Sequence, residues 1–568
     1  WMKQFNPKAL ADQHHLMEAL WVHQWHNVVN EALLRQMLQS PEPRARAAAS
    51  RVLCYWRDRV SEPLALFRTA ANDESPRVRL EAIRAASFFA GTEALEVAYE
   101  ILKSDTDYYL EYVFKETLRQ LQKSSQDIFL PKDPKALARA LDRLSDKQLT
   151  QAPGVEPVLI ERLGRKYVDI NTRSGALDQL AKLHQTDRVS EAIAALQRLD
   201  ATGGTPSTGA DLGMLLAANT APDLTKVRST LSGLAENAKE AAVRRAAYAA
   251  LVTADGKPDA VWADTQKNPA ARATVIDSVI LLMDPSFRAT FEPLLTNAIA
   301  DAKTPGSVRS SALTALPLMG PDHMSKNFGI LAAHLREGPD LTTASRAVMQ
   351  LPRDAWVKEQ AAPVAEAILA WARKVPAAKR TAQDYIETVQ VGMEMAALLP
   401  PDDNLRIRKQ LLDLGVRVFV IKSVREQMRY DTTRIVVEAG KPFEIIFENV
   451  DMMPHNLVIV QPGAREEVGN QAQTMAPNPD KQGRIYVPTN KKIVAASKLL
   501  EPGQKETLKL TAPEKPGEYD YVCTYPEHWK VMFGQLVVVK DMDAFLKASA
   551  QSSPPSPQAN ATKHQHQH

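Results

Sequence analysis

The apolar residues of this 568-residue chain change their spacing near residue 415. From about residue 8 to 415 they recur at three and four positions among many alanines and leucines, which indicates amphipathic helices. After that point they alternate with polar residues in short runs, which indicates strands. The chain is also longer than one hydrophobic core usually organises. We therefore expect a multidomain protein, an all-α region followed by an all-β region.

A short phrase recurs in the helical region. Residues 43–48 reappear 33 positions later as residues 76–82, and looser copies follow at 242–246 and 307–311. A proline followed by an apolar residue and an arginine at the start of a helix is typical of a repeated helical hairpin. Each such hairpin buries its apolar face only by stacking on its neighbour. The helical region is therefore predicted to be a stack of repeats.

The period and the Pro-x-Val-Arg phrase resemble HEAT repeats across roughly residues 10–410. This resemblance implies a superhelical arrangement of helix pairs, and an irregular helical domain is the alternative. We expect Arg46, Arg79 and Arg309 to hold the turns between repeats. The composition adds one exclusion, because a net charge of +3 lacks the basic concentration that nucleic-acid binding requires.

The second region contains strand-like runs separated by Pro-Gly and Ala-Gly turn signals. The runs cover residues 417–424, 433–437, 442–450, 457–460, 506–510, 519–523 and 536–539. Their spacing predicts an antiparallel β-sandwich of about 125 residues. Residues 464–497 break the alternation and are too long for a simple turn, so we expect a flap or a short helix there.

Three segments follow from these patterns: a helical region over 1–415, a sandwich over 416–541 and a tail over 542–568. Beyond Ala548 the chain is rich in Ser, Pro, Gln and Asn, so we expect disorder in the tail. Its last six residues alternate His and Gln after a lysine, which indicates an affinity tag, or else a metal-scavenging tail. No apolar run is long enough to span a bilayer, and the start at Trp1 indicates a processed or truncated end.

One loop of the β region carries three metal donors. Cys523, His528 and Met532 lie in the run Cys-Thr-Tyr-Pro-Glu-His-Trp-Lys-Val-Met between two predicted strands. His455 begins another strand in Met-Pro-His-Asn, and a sandwich can bring that strand beside the loop. A thiolate, two imidazoles and a weak thioether suit an ion that alternates between one and two positive charges. The sequence therefore predicts a copper site that carries one electron at a time.

The residues around the cysteine narrow the kind of copper site. A dinuclear electron-transfer centre needs a second cysteine in the loop, and the other cysteine of the chain, Cys54, lies in the helical region. A multicopper oxidase flanks its cysteine with histidines, whereas Val522 and Thr524 flank Cys523. The sequence thus predicts one mononuclear type 1 (blue) copper and an electron carrier that is not an enzyme.

Both motifs resemble the azurin and auracyanin branch of the blue copper proteins, across nearly all of residues 416–541. The resemblance implies a Greek-key cupredoxin sandwich. It also implies that His455, Cys523 and His528 are equatorial ligands and that Met532 is the axial ligand.

The same resemblance assigns roles to the neighbours of the ligands. It implies that Asn456 braces the loop through Thr524, and that the backbone N–H groups of Asn456 and Tyr525 point at the Cys523 sulfur. Azurins have a glycine where this chain has Pro454. A fifth contact to the metal, from the carbonyl of that residue, is therefore left open.

Electron exit in this family runs through an apolar patch at the edge of the loop histidine. The predicted docking patch consists of Met452, Met453, Pro526, Trp529 and Val531. Small interfaces of low affinity suit redox partners that must dissociate quickly after each electron transfer. The expected partners are a cytochrome c-like protein or a dehydrogenase, and the alternative is that these residues only seal the copper from water.

Helical repeats ahead of a blue copper domain also resemble the C-terminal part of secreted dehydrogenase-like proteins of planctomycetes. This resemblance implies a periplasmic or secreted location and a module of a larger dehydrogenase system, with the repeats as a docking scaffold. Two other function classes remain open. One is a copper storage or delivery protein, and the other is a repeat scaffold whose copper domain is accessory.

Overall fold

The computed structural model describes residues 1–123, 127–376, 379–380, 382–414 and 418–551. The chain divides into two compact units, Trp1–Thr186 and Asp187–His568. The His/Gln end of the predicted tail and the predicted helix-to-sandwich boundary lie outside the described residues. The sandwich strands belong to the same compact unit as the helices from Asp187 onward.

The first unit is built from helices joined by short turns. They are α1 (Gln13–Trp25), α2 (Glu31–Leu38), α3 (Pro43–Trp56), α4 (Pro63–Ala71), α5 (Pro76–Ala86), α6 (Thr92–Tyr99), α7 (Tyr108–Leu121), α8 (Pro134–Leu141), α9 (Asp146–Gln151), α10 (Glu156–Gly164) and α11 (Ile170–His184). Several begin with proline, whose missing N–H costs nothing in the first turn. Cys54 is buried in the apolar core of this unit.

The repeat arginines hold the turns, as the sequence predicts. The guanidinium of Arg46 donates to both carboxylate oxygens of Asp73 at 2.7 and 2.9 Å and to the carbonyl of Ser40 at 2.8 Å. Arg79 donates to the carbonyls of Asp73 and Asp105 at 2.9 and 3.1 Å. Each arginine therefore satisfies turn carbonyls that no helix would satisfy.

The helices of the second unit precede the sandwich. They are α12 (Arg188–Thr202), α13 (Pro206–Ala217), α14 (Ala221–Lys226), α15 (Arg228–Asn237), α16 (Ala241–Asp255), α17 (Asp259–Asp264), α18 (Pro269–Asp277), α19 (Pro285–Ala289), α20 (Glu292–Ala300), α21 (Gly306–Ala315), α22 (Met324–Glu337), α23 (Leu341–Gln350), α24 (Ala361–Lys374), α25 (Gln383–Ala396) and α26 (Pro401–Leu414). Arg309 donates to the carbonyls of Asp301 and Thr304, which confirms its predicted role. No helix among the described residues is both long and apolar enough to cross a membrane.

The sandwich has two sheets. Its strands are β1 (Val418–Val424), β2 (Arg429–Tyr430), β3 (Arg434–Glu438), β4 (Pro442–Glu448), β5 (Val458–Val460), β6 (Ile493–Ala496), β7 (Lys505–Thr511), β8 (Gly517–Val522) and β9 (Phe533–Val539). One sheet has the order β2-β1-β4-β7 and the other β3-β9-β8-β5-β6. Along β4 the side chains of Phe443, Ile445 and Phe447 are buried between half-buried ones, as expected for a strand with one face on the core.

Three features differ from the sequence prediction or refine it. The sandwich is mixed, because β1 pairs with β4 and β3 pairs with β9 in parallel. Strand direction depends on which strands meet, and the alternation of side chains within a strand does not encode that. The break after β5 contains a helix, α27 (Arg465–Gln473). The first residues of the predicted tail form α28 (Met542–Gln551) and not a disordered segment.

Polar contacts join the helices of the second unit to the first sheet of the sandwich. The ammonium of Lys422 on β1 lies 2.9 Å from a carboxylate oxygen of Glu387 on α25. The amide of Gln390 on α25 donates to the carbonyl of Val420 and accepts from its N–H. The sandwich thus has helices against one of its faces.

Candidate metal centre

The loop after β8 folds back on itself through backbone hydrogen bonds. The Cys523 N–H donates to the carbonyl of Met532 at 3.0 Å, and the Met532 N–H donates to the carbonyl of His528 at 2.8 Å. Glu527 has a φ of +69°, a left-handed conformation that turns the chain just before the histidine. The loop therefore presents Cys523 and His528 from one compact turn.

The upstream histidine arrives from the other side of the core. The backbone of His455 pairs with Leu500, with N–H to carbonyl distances of 3.1 and 2.8 Å. The hydroxyl of Tyr430 donates to the carbonyl of Asn456 at 2.6 Å, deep inside the sandwich. Two independent contacts thus fix the backbone that carries this imidazole.

The structure brings three of the predicted ligands together. The Cys523 sulfur lies 3.7 Å from Nδ1 of His455 and 3.6 Å from Nδ1 of His528, and the two Nδ1 atoms are 3.2 Å apart. The three residues are 0%, 0% and 2% exposed. Met532 is fully buried in the same apolar core as the cysteine. In the part of the chain that the structure describes, no other group of three or more His, Cys, Asp or Glu side chains brings its donor atoms this close together.

Electrostatics favour an ionised Cys523 sulfur beside the imidazoles. Burial opposes ionisation of the Cys523 thiol, but hydrogen bonds and charge from both imidazoles outweigh it and lower the pKa to about 6. Burial also opposes a charge on His455, but Asp451 and the Cys523 sulfur outweigh it and raise the pKa of the imidazole to about 9. The sulfur is therefore a thiolate at neutral pH, which is the form that binds metals.

Asp451 is a residue that the sequence reasoning missed. Its Oδ2 lies 2.9 Å from Nε2 of His455, and its side chain is 3% exposed. Burial raises the pKa of this carboxyl, but the hydrogen bond and charge of His455 outweigh it and keep the pKa below its ordinary value. The signal in the sequence is an acidic residue four positions before the histidine, in a segment without helical or strand periodicity.

The predicted brace between the two ligand segments is present as hydrogen bonds. The Asn456 amide donates to the hydroxyl of Thr524 at 2.8 Å and accepts the Thr524 N–H at 2.7 Å. The Thr524 hydroxyl in turn donates to the carbonyl of Tyr486 at 2.7 Å. Donation from the N–H groups of Asn456 and Tyr525 to the sulfur, and a carbonyl contact from Pro454, stay predictions.

The donor set can be tested against copper by its own chemistry. A thiolate and two imidazole nitrogens are donors that bind Cu(I) and Cu(II), whereas magnesium and calcium prefer oxygen ligands. The His455 Nε2 faces a carboxylate, which accepts a proton and does not donate one, so Nε2 keeps its proton and a metal would bind at Nδ1 in place of the proton there. The residues that the structure brings together therefore fit a copper ion.

The five residues of the predicted docking patch differ in exposure. Met453 and Val531 are 37% and 57% exposed, and Met452, Pro526 and Trp529 are half-buried. Trp529 packs on α27, where its indole N–H donates to the amide oxygen of Gln473 at 3.0 Å. The patch therefore combines exposed aliphatic side chains with a ring held in place by the neighbouring helix.

Two family models match this chain. The model described as copper binding proteins of the plastocyanin/azurin family matches residues 418–539. The model of HEAT repeats matches residues 30–119. The first match covers every strand of the sandwich and all four predicted ligands. The second covers the helices that contain the repeated motif at residues 43–48 and 76–82.

Individual relatives match the sandwich. Auracyanin-A of Chloroflexus aurantiacus is 33% identical over 122 residues, which is 21% of this chain and 72% of that protein. Azurin iso-2 of Methylomonas sp. strain J is 29% identical over 119 residues, 20% of this chain and 89% of that protein. The reduced auracyanin of Roseiflexus castenholzii is a solved structure that is 33% identical, covers 22% of this chain and 98% of its own, and has a TM-score of 0.20.

Proposed function

Because the chain belongs to the plastocyanin/azurin family of copper-binding proteins through residues 418–539, we propose that it carries single electrons through one type 1 copper ion. The observation that carries this proposal is the buried group of Cys523, His455 and His528, whose donor atoms lie 3.2 to 3.7 Å apart. HEAT repeats precede this domain.

We propose that His455, Cys523 and His528 would hold the copper and that Met532 would supply a weaker thioether ligand. When bound, the copper would supply one-electron redox chemistry between Cu(I) and Cu(II). The chain contributes a thiolate that is already ionised at neutral pH, since the pKa of Cys523 is about 6. It also contributes a site from which water is largely excluded, because none of the three residues is more than 2% exposed.

The residues around the donors keep them in place. The paired hydrogen bonds between Asn456 and Thr524 tie the two ligand segments together at 2.7 and 2.8 Å. The backbone bond from Cys523 to Met532 closes the loop. Donors held in this way do not need to move when the charge of the metal changes, which favours rapid electron exchange over the release of copper that a storage or delivery protein needs.

We propose that electrons leave through the docking patch defined above, toward a cytochrome c-like protein or a dehydrogenase. The exposure of Met453 and Val531 beside buried ligands supports this assignment. The helical repeats would act as the docking scaffold in a larger dehydrogenase system, and the family supports a periplasmic or secreted location. We expect Val531→Asp to abolish electron transfer to such a partner and to leave the copper spectrum unchanged.

The central experiment is an absorption and paramagnetic resonance spectrum of the protein with copper added. The parent protein should show the intense blue band of a thiolate bound to Cu(II), and Cys523→Ala should lose it. The matched control is Cys54→Ala, which removes the other buried cysteine and should keep the band. A parent protein without the band, or a band that survives in Cys523→Ala, would contradict the proposal.

A further inference from the structure

Asp451 connects the His455 imidazole to the helices of the second unit. Its Oδ2 lies 2.9 Å from Nε2 of His455. Its Oδ1 accepts the N–H groups of Glu426 at 3.0 Å and Met452 at 2.8 Å. With three donors on two oxygens, this buried carboxylate has a fixed orientation, and it fixes the imidazole in turn.

The turn that donates to Asp451 is held by a helix. The guanidinium of Arg288 on α19 contacts both carboxylate oxygens of Glu426, at 2.7 and 3.0 Å. Arg288 is only 6% exposed and also donates to the carbonyl of Leu282, so its own position is fixed. A paired contact of this kind between a guanidinium and a carboxylate sets direction as well as distance.

A second helix holds the neighbouring residue of the same turn. The Arg425 N–H donates to the side-chain oxygen of Gln350, at the end of α23, at 3.2 Å. The Gln350 carbonyl accepts from Arg429 at 2.9 Å, on the far side of the turn. The Arg425 guanidinium donates to the carbonyl of Val450, the residue before Asp451. Both ends of the turn are thus anchored to α23.

The turn itself has a backbone that needs such support. Glu426 and Met428 have φ values of 58° and 43°, in the left-handed region that residues with a side chain seldom adopt. Such conformations persist where the surrounding contacts determine them. The helix contacts are of that kind, because Gln350 binds Arg425 and Arg429 on either side of the strained residues. Arg288 binds the side chain of Glu426 itself.

We infer that the helical repeats position the copper ligand His455, through the 425–428 turn and Asp451. Asp451 is the positioning residue. This inference rests on the proposed function, since it assigns to the helices a part in setting the properties of the copper site. Asp451 keeps Nδ1 of His455 directed at the site, and its negative charge stabilises Cu(II) more than Cu(I). The helices keep Asp451 where it does so.

The test uses the full chain and four variants. Asp451→Asn removes the charge, Arg288→Ala removes the helix contact to the turn, and Arg288→Lys keeps a cation there. The matched control is Gln383→Ala, whose side chain joins α25, another helix of the same unit, to the sandwich through Glu448 and Lys505. For each we would measure Cu(I) affinity by chelator competition, reduction potential, and thermal unfolding of the metal-free protein.

Asp451→Asn should weaken Cu(I) binding by about 10- to 100-fold and raise the reduction potential. Arg288→Ala should weaken Cu(I) binding by at least about threefold and should also raise the reduction potential. Arg288→Lys should restore part of both changes, and Gln383→Ala should match the parent. If Arg288→Ala behaves like Gln383→Ala, or if Asp451→Asn leaves both quantities unchanged, the inference is wrong. A metal-free melting curve near that of the parent shows that a shift is not due to unfolding.

The two proposals fail in different ways. A parent protein that binds Cu(I) but shows no blue band would contradict the proposed function, and the order of Cu(I) affinities among the variants would still test the inference. A parent protein with the blue band and equal affinities in all variants would support the copper site and overturn the part assigned to the helices.

Discussion

Asp431 is a carboxyl group buried where the helices of the second unit meet the sandwich. It is 4% exposed, and its Oδ1 accepts the backbone N–H of Lys422 at 2.9 Å. The backbone carbonyl of Asp431 accepts a hydrogen bond from the guanidinium of Arg353 at 3.2 Å. Burial outweighs these favourable contacts and raises the pKa of Asp431 to about 6.

This raised pKa predicts how stability depends on pH. The folded protein holds the Asp431 proton up to about pH 6, whereas the unfolded chain releases it near pH 3.9. The folded state therefore binds more protons between these values, and this residue's contribution to the free energy of unfolding is complete below pH 3.9 and is lost as pH rises through 6. Asp431→Asn should be more stable than the parent at pH 7, by up to about 3 kcal/mol, and nearly equal to it at pH 4.

Urea unfolding followed by circular dichroism at the two pH values measures this difference. Asp322→Asn, at an exposed aspartate of the same unit, is the control and should match the parent at both. A difference between Asp431→Asn and the parent that is the same at pH 4 and pH 7 would show that the charge is not its cause.

At the scale of elements, α27 packs against the loop that carries His528. A side chain at Gly469 would overlap the indole ring of Trp529, so the helix approaches the loop as closely as a glycine allows. The guanidinium of Arg465, at the start of the same helix, lies 3.6 Å from the centre of the Phe533 ring. The helix therefore covers both ends of the segment between the loop histidine and β9.

Gly469→Ala should destabilise the second unit by about 1–3 kcal/mol, because the added methyl group displaces a packed ring. The matched control is Gly233→Ala on α15, where the added carbon has no atom within 4 Å apart from its chain neighbours and the backbone of its own helix. The control should be neutral or more stable by about 0.5–1 kcal/mol, since alanine favours a helix. Chemical unfolding of both variants gives the comparison, and changes of the same sign would contradict the predicted packing.

The strands were predictable because their signal is local. The strand Arg434–Glu438 is predicted as 433–437. The strand Val418–Val424 is predicted as 417–424, and residue 417 lies outside the described residues. The parallel pairing of β1 with β4 was not predicted, since pairing depends on residues distant in the chain. At the site, the four predicted ligand positions follow from one contiguous motif and one short upstream motif. Asp451 did not, because its role depends on a turn fixed by contacts from Arg288.

At the scale of the whole second unit, a buried ion pair joins its helices to its sandwich. The side chains of Lys422 and Glu387 are each 4% exposed, and their charged atoms are 2.9 Å apart. Glu448 lies 3.2 Å from the same ammonium, and Arg346 on α23 contacts the same Glu387 carboxylate. Burial raises the pKa of Glu387, but Lys422 and Arg346 outweigh it and keep the pKa below its ordinary value.

Removing one partner of this ion pair should lower the free energy of unfolding more than replacing both partners with apolar residues. Glu387→Leu leaves the Lys422 ammonium buried with one carboxylate fewer, so we expect a loss of about 3–5 kcal/mol in the free energy of unfolding. Adding Lys422→Met removes the buried ammonium that Glu387→Leu leaves without its partner. The double variant should therefore regain most of the lost free energy of unfolding. A double-mutant cycle in urea measures the coupling, and additive effects of the two changes would contradict it.

An exposed pair supplies the comparison. Arg406 and Asp403 on α26 are 43% and 54% exposed at a separation of 2.9 Å. Asp403→Ala should change the free energy of unfolding by less than about 1 kcal/mol, because solvent screens such pairs. A loss as large as that of Glu387→Leu would show that burial does not govern these contributions.

The buried sulfur has a consequence for the protein when it holds no metal. The Cys523 thiolate is the reactive form of the side chain, yet none of its surface is open to solvent. Peroxide, a disulfide or an alkylating reagent can reach it only while the 523–532 loop is open, so modification of the sulfur requires that opening. The closed loop thus protects a nucleophile from irreversible oxidation during the interval between loss of one metal ion and arrival of the next.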